Sequence, residues 1–243
     1  MTFTKVKRRG SYGFDAPYLL VIWGLLIAVS VVSGVLFESV WPFIGAAVLL
    51  WFGGSGWYVS RWGKFVVWGR VLDELRLQGD EEVLDVGCGR GAVLLMAAQH
   101  LSTGQAVGID LWKRSEQSGN SIEATKRNAL LEGVADRVEL STADMTSLPF
   151  EDESFDLVTS NLAIHNVEGD KRDKAIEEAI RVLRPGGRLM IADIMGTNQY
   201  ARQLKRLGIN DVSKRDLGWR MWWSGPWERT LLVSCTKPLG RSH

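Results

Sequence analysis

The feature that most constrains this chain is the stretch over residues 82–95, EVLDVGCGRGAVLL, where a short apolar run reaches Asp85 and glycines follow at 87, 89 and 91. Val83, Leu84 and Val86 read as a strand buried on both faces, as in a parallel sheet. The glycines let backbone come close to a ligand, and the pattern from Ala92 onward reads as a helix whose N-terminus faces that ligand. Strand, glycine turn and helix in that order predict an α/β fold that holds a cofactor at the end of its first strand.

Two cofactors fit such a loop. The dinucleotide fingerprint G-x-G-x-x-G/A is met by Gly87, Gly89 and Ala92, and Asp110 lies about 20 residues on, where a ribose-binding carboxylate belongs. The run from Asp85 through three alternate glycines resembles instead the first motif of the class I S-adenosylmethionine (SAM)-dependent methyltransferases. Four further segments resemble that family in the same order. They are Gly108-Ile109-Asp110-Leu111, Ala143-Asp144-Met145 followed by Leu148-Pro149-Phe150, Phe155-Asp156-Leu157-Val158, and Arg181-Val182-Leu183-Arg184-Pro185-Gly186-Gly187.

The resemblance spans residues 70–238 and implies a doubly wound, Rossmann-like sheet of seven strands with an antiparallel end, and SAM as the cofactor. It places Asp85 near the methionine amino group, Asp110 on the ribose hydroxyls and the segment around Asp144 beside the adenine. The cofactor-binding candidates are Asp85, Gly87, Cys88, Gly89, Gly91, Asp110, Leu111, Trp112, Asp144, Met145 and Asn161. Alternation of apolar runs and helical patterns predicts strands over 82–86, 105–110, 137–141, 155–160, 187–193, 209–214 and 230–236. The last two are expected to form the antiparallel end.

Apolar residues make up 46% of the 243, and the excess is concentrated near the start. Residues 16–37 and 39–60 carry no charge, and each run, at about 1.5 Å per helical residue, is long enough for the roughly 30 Å hydrocarbon core of a bilayer. A two-helix transmembrane hairpin is the economical structure, since helices satisfy their own backbone groups in lipid. Gly53, Gly54 and Gly56 are expected to loosen the second helix toward its C-terminal end. A cleaved signal peptide and a core or partner-binding hairpin of a soluble protein are the alternatives. Lys5, Lys7, Arg8 and Arg9 precede the first run, and Arg61, Lys64 and Arg70 follow the second, which predicts both ends on the cytosolic side.

Residues 61–77 place Trp62, Phe65, Val66, Leu72 and Leu75 at helical spacing and read as a connecting helix, with Lys64 and Arg70 available to lipid head groups. The alternative is an ordinary helix packed on the sheet. The organisation is then a hairpin over 1–60, a connecting helix over 61–80 and a catalytic domain over 81–243. Of the net charge of +1, the first 70 residues contribute +5, so the remainder carries −4 and is unsuited to a nucleic-acid substrate.

No metal is expected, because the three histidines (His100, His165, His243) and two cysteines (Cys88, Cys235) show no ligand spacing. Methyl transfer is an in-line displacement that needs alignment, exclusion of water and, for a protonated acceptor, a base. His165 is the candidate base because it lies just past the fourth strand, on the rim where open α/β sheets bind ligands. A His that caps the next helix or packs on Trp112 is the alternative. Asn161 is the second catalytic candidate, as support for the acceptor rim.

Trp112 is read as stacking on adenine or walling the pocket, and the tryptophans between 217 and 227 as suiting a membrane interface, an amphiphilic ligand or a packed strand edge. The whole reads as a two-pass cell-membrane methyltransferase with a cytoplasmic catalytic domain, acting on a small-molecule or lipid acceptor. A tethered enzyme for a soluble metabolite and a SAM-binding sensor without turnover remain as alternatives.

Overall fold

A computed structural model of the chain describes residues 8–239, so the expectations that rest on Lys5, Lys7 and His243 lie outside the described residues. Two apolar helices come first, α1 (Pro17–Leu36) and α2 (Trp41–Tyr58), packed antiparallel as a hairpin. Their close approach near the turn requires Gly34, where a Cβ would lie 2.5 Å from the ring of Phe43. Elsewhere α1 is open, with Val21, Leu25 and Val29 each more than 60% exposed. Both helices are long and apolar enough to cross a membrane.

The second helix does not stop at its glycines. It runs through a single π turn (Val59–Gly63) into α3 (Lys64–Leu75), giving a continuous helical segment of 35 residues. Gly53 and Gly56 instead give the ring of Trp23 a flat surface, with a Cβ at either lying about 3.5 Å from the indole. The helix therefore persists despite a cost of about 1 kcal/mol per helical glycine. The connecting helix expected over 61–80 is therefore the far end of the second hairpin helix, and it ends at Leu75 on the left-handed residue Arg76.

Seven strands follow: β1 (Val83–Val86), β2 (Ala106–Asp110), β3 (Val138–Thr142), β4 (Phe155–Asn161), β5 (Leu183–Asp193), β6 (Ser213–Asp216) and β7 (Leu231–Thr236). They form one sheet in the order β3-β2-β1-β4-β5-β7-β6. Strands β1 to β5 are parallel, and β7 runs against both of its neighbours. Because β6 pairs antiparallel with β7, it points the same way as β1 to β5, so β7 alone is reversed. Strand β6 also starts later than expected, since Ile209 is drawn into the core while the exposed edge segment Ser213–Asp216 makes the pairing. Strand β5 starts earlier, at Leu183, with the turn residues 184–187 accommodated by a register shift against β4.

Helices α4 (Ala92–Gln99) and α5 (Ile122–Glu132) cover one face together with α3, whose Trp68 and Leu72 are fully buried against Leu94 and Leu95. Helices α6 (Lys171–Val182) and α7 (Thr197–Arg206) cover the other, over a core that includes Ile176, Tyr200 and Leu204. The chain winds outward from β1 in both directions, which opens a crevice at the carboxyl ends of β1 and β4.

The Trp-rich loop over 217–230 packs on the base of the hairpin. Trp219 stacks on Tyr58 at 5.6 Å, Met221 joins Val59 and Val67 in a small core, and Ser55 Oγ donates to the carbonyl of Trp223. The carbonyl of Arg220 sits where a Cβ on Gly63 would be, 2.0 Å away. Gly63→Ala should therefore push the loop off the helix and cost about 1–3 kcal/mol, read as a lower denaturation midpoint in detergent; an unchanged midpoint would contradict this packing.

Candidate active site

The crevice holds a cavity of about 850 Å³ whose floor is the glycine turn. Gly87 (φ +73°) and Gly89 (φ +51°) adopt left-handed backbone that disfavours a side chain, and both line the cavity. A Cβ at Gly87 would meet Ala163 at 2.2 Å, and one at Gly89 would meet Gln117 Oε1 at 2.6 Å. Gly91 caps α4 and packs beneath Thr125 and Leu95, outside the lining.

Asp85, in β1, is 2% exposed and lines the cavity. Burial pushes its carboxyl up to about 7, against the hydrogen bonds from Thr159 Oγ1 (2.8 Å) and the Leu94 N–H (3.0 Å), which favour the ionised form. Asp110, at the end of β2, accepts from the Gly89 N–H at 2.8 Å and from the Trp112 N–H and Asn120 Nδ2. It ties the glycine turn to the second strand while its two oxygens keep lone pairs for a ligand. Beside it, Asn120 Oδ1 is buried with no hydrogen-bond partner among the described residues. An orphaned acceptor next to a carboxylate suits a ligand carrying hydroxyl donors.

Cys88, Leu111, Asp144, Met145 and Asn161 also line the cavity. The Cys88 thiol is buried and raised well above its usual range, so it serves as a small packing group. The carboxylate of Asp144 accepts from Thr146 N–H and Oγ1, which hold it below the usual carboxylate range. Trp112 departs from expectation. It is not among the residues that line the cavity; its indole packs on the core and donates to Thr142 Oγ1 at 2.8 Å, and its backbone is left-handed (φ +57°). Asn161 Oδ1 accepts from Trp68 Nε1 at 2.7 Å, so α3 holds the rim residue in place.

His165 lies in a short 3-10 turn after β4 and lines the same cavity. It neither caps α6 nor meets Trp112. Its Nδ1 faces Asp193 Oδ1 at 2.6 Å, and its own N–H donates to Asp193 Oδ2 at 3.1 Å. Asp193, fully buried at the end of β5, also accepts from Tyr200 Oη at 3.1 Å and the Ile194 N–H at 2.8 Å. A carboxylate so placed orients the ring and favours a proton on Nδ1, the nitrogen that faces it. The sequence reading missed Asp193, although it ends an apolar run as Asp110 does.

The N-terminal segment also reaches the site. Asp15 accepts from Lys64 Nζ (2.7 Å), Ser60 Oγ (3.0 Å) and Gln117 Nε2 (2.9 Å), while Gln117 Oε1 accepts from the Arg90 N–H of the glycine turn at 2.8 Å. Lys64, 1% exposed, is spent on this ion pair and is unavailable to lipid head groups, whereas Arg70 is exposed. Seven carboxylates and three lysines line the cavity, a balance that favours a cationic ligand.

Residues 84–191 match a family model described as a methyltransferase domain. The chain carries a methyltransferase domain of the class I SAM-dependent family. It is 38% identical over 127 residues to methyltransferase GfsG of Streptomyces halstedii, a match that covers 52% of this chain and 42% of GfsG. It is 30% identical over 135 residues to the sterol 4-C-methyltransferase strm-1 of Caenorhabditis elegans, covering 56% of this chain and 37% of that protein. In both cases the match spans less than half of the relative's length. The fold is similar to that of a SAM-dependent methyltransferase from Aquifex aeolicus, with a TM-score of 0.54 at 20% identity over 70% of this chain and 88% of that one.

The raised carboxyl of Asp85 has a consequence for stability. Its folded value of about 7 exceeds the ordinary 3.8, so the folded state binds the extra proton between those limits, and stability falls as pH rises from about 4 to about 7. Asp85→Asn should flatten that slope in the ligand-free protein, measured as denaturation midpoint against pH. An unaltered slope would contradict the burial argument.

Proposed function

We propose that this protein is a membrane-anchored methyltransferase that transfers the methyl group of SAM to a small acceptor with a substantial apolar part, with His165 taking the acceptor's proton. The observation that carries the reading is that the His165–Asp193 pair and the glycine turn open on one cavity. SAM, when bound, supplies a methyl group on a positively charged sulfur. Gly87, Cys88 and Gly89 would present backbone to it, Asp110 and Asn120 would accept from its hydroxyls, and Asp85 would accept from its amino group. Leu111, Asp144 and Met145 form the adenine side. Asn161, fixed by Trp68, lines the acceptor rim.

His165 Nε2 accepts the proton that the acceptor gives up, and Asp193 stabilises the imidazolium that results. Tyr200, whose hydroxyl burial keeps protonated, donates to Asp193 and fixes its orientation. The apolar acceptor is supported by the exposed apolar surface of the hairpin, which water would not tolerate over such an area, and by a relative named for sterol methylation. Arg8 and Arg9 before α1 and Arg61 after α2 lie at the same end of the hairpin as the catalytic domain, which supports a two-pass protein with that domain in the cytoplasm.

The reading separates binding from chemistry. Asp110→Ala should weaken S-adenosylhomocysteine binding by about 1–3 kcal/mol in calorimetry, through loss of charge-assisted hydrogen bonds. His165→Ala and Asp193→Asn should bind it as tightly as the wild type while transfer of labelled methyl to a membrane extract falls about 100-fold or more. Wild-type transfer by His165→Ala would remove the proposed base, and tight binding with no transfer by the wild type would favour a sensor.

A further inference from the structure

We infer that α1 is a wall of the acceptor site rather than only an anchor, and that the acceptor is an amphiphile whose apolar part lies between α1 and the 217–230 loop while its reacting group sits at His165. The inference rests on the methyl-transfer reading above. The cavity that contains Gly87, Asp110 and His165 is also lined by Tyr18, Leu19 and Trp23 of α1 and by Trp223. A smaller void of about 30 Å³ shares Leu19, Trp23 and Trp223 with it and continues to Gly56 and Trp57 of α2. The apolar arm of the main cavity, lined by Leu19, Trp23 and Trp223, therefore runs from the reacting end to the base of the hairpin, and the smaller void, too small for an acceptor chain, marks the seam between α1 and α2. At about 850 Å³ the main cavity is near the upper end of ligand pockets, about 300–1,000 Å³, as a site for cofactor and acceptor side by side requires.

The position of α1 is enforced. The Ala16 N–H donates to the Glu116 carbonyl at 2.9 Å, and Asp15 is gripped by Lys64, Ser60 and Gln117, so the first turn of α1 is fixed over the cavity mouth. A simple tether would need none of these contacts. Tyr18, in that first turn, lines the cavity yet is 55% exposed, so the cavity reaches the surface where a membrane span meets the head-group region. An amphiphile dissolved in the bilayer presents its polar end at that depth and its chain below it.

The test uses the full chain in phosphatidylcholine nanodiscs with tritiated-methyl SAM, offered a chloroform-soluble and a water-soluble extract of the native membranes and cells. Label should enter the chloroform-soluble fraction. Leu19→Trp, which fills the arm, should lower kcat/KM for that fraction at least about ten-fold, as blocking an apolar pocket does, while calorimetric affinity for S-adenosylhomocysteine stays at the wild-type value. Leu19→Ala should change the acceptor KM alone, and Val29→Trp, on the outward side of α1, should match the wild type. Wild-type kinetics in Leu19→Trp, or label only in the water-soluble fraction, would overturn the inference and leave methyl transfer standing. Label in neither fraction would overturn the methyl-transfer reading and this inference with it.

Discussion

The carboxylate of Asp15 is the point at which the parts of this protein are joined. It accepts hydrogen bonds from Lys64 and Ser60 on the long second helix and from Gln117, whose other atom receives the Arg90 N–H of the glycine turn. A lysine at 1% exposure is stable only with its charge partnered, and removing one member of a buried pair typically costs about 3–5 kcal/mol. The same residue lies just before the first helix. The glycine turn, the segment after β2 that carries Gln117, and the hairpin are thus fixed relative to one another by one short chain of hydrogen bonds.

The helix from Trp41 to Leu75 has a matching role. Its first half is exposed and apolar, its second half is buried in the domain core, and a π turn between them keeps the hydrogen-bond ladder intact. Trp68 carries this continuity into the site through its bond to Asn161. A flexible linker would leave hairpin and domain independent; here the second hairpin helix ends inside the domain core.

Much of the domain was legible because parallel strands buried on both faces are apolar runs, and residues 83–86, 106–110 and 155–160 announce themselves as such. Strand β6 was displaced because Ser213–Asp216 is exposed along its length and shows no apolar alternation, so its pairing follows from β7 alone. The hairpin glycines were read by helix propensity, whereas the helix runs through them into α3, whose far end is buried in the domain core. In the site, the acids of β1 and β2 were readable from the glycine turn between them. Asp193 carried the same strand-end signal, but its meaning depends on His165, 28 residues earlier, and only the fold brings the two together. Lys64 and Asp15, 49 residues apart, were hidden for the same reason.

The measurement that bears most directly on this protein's function is calorimetric titration of the full chain in nanodiscs with SAM, S-adenosylhomocysteine and NADH. Saturable binding of the first two, with none of NADH, is the expected result for a turn built from Asp85, Gly87, Gly89 and Asp110. Binding of NADH in their place, or of none of the three, would contradict it.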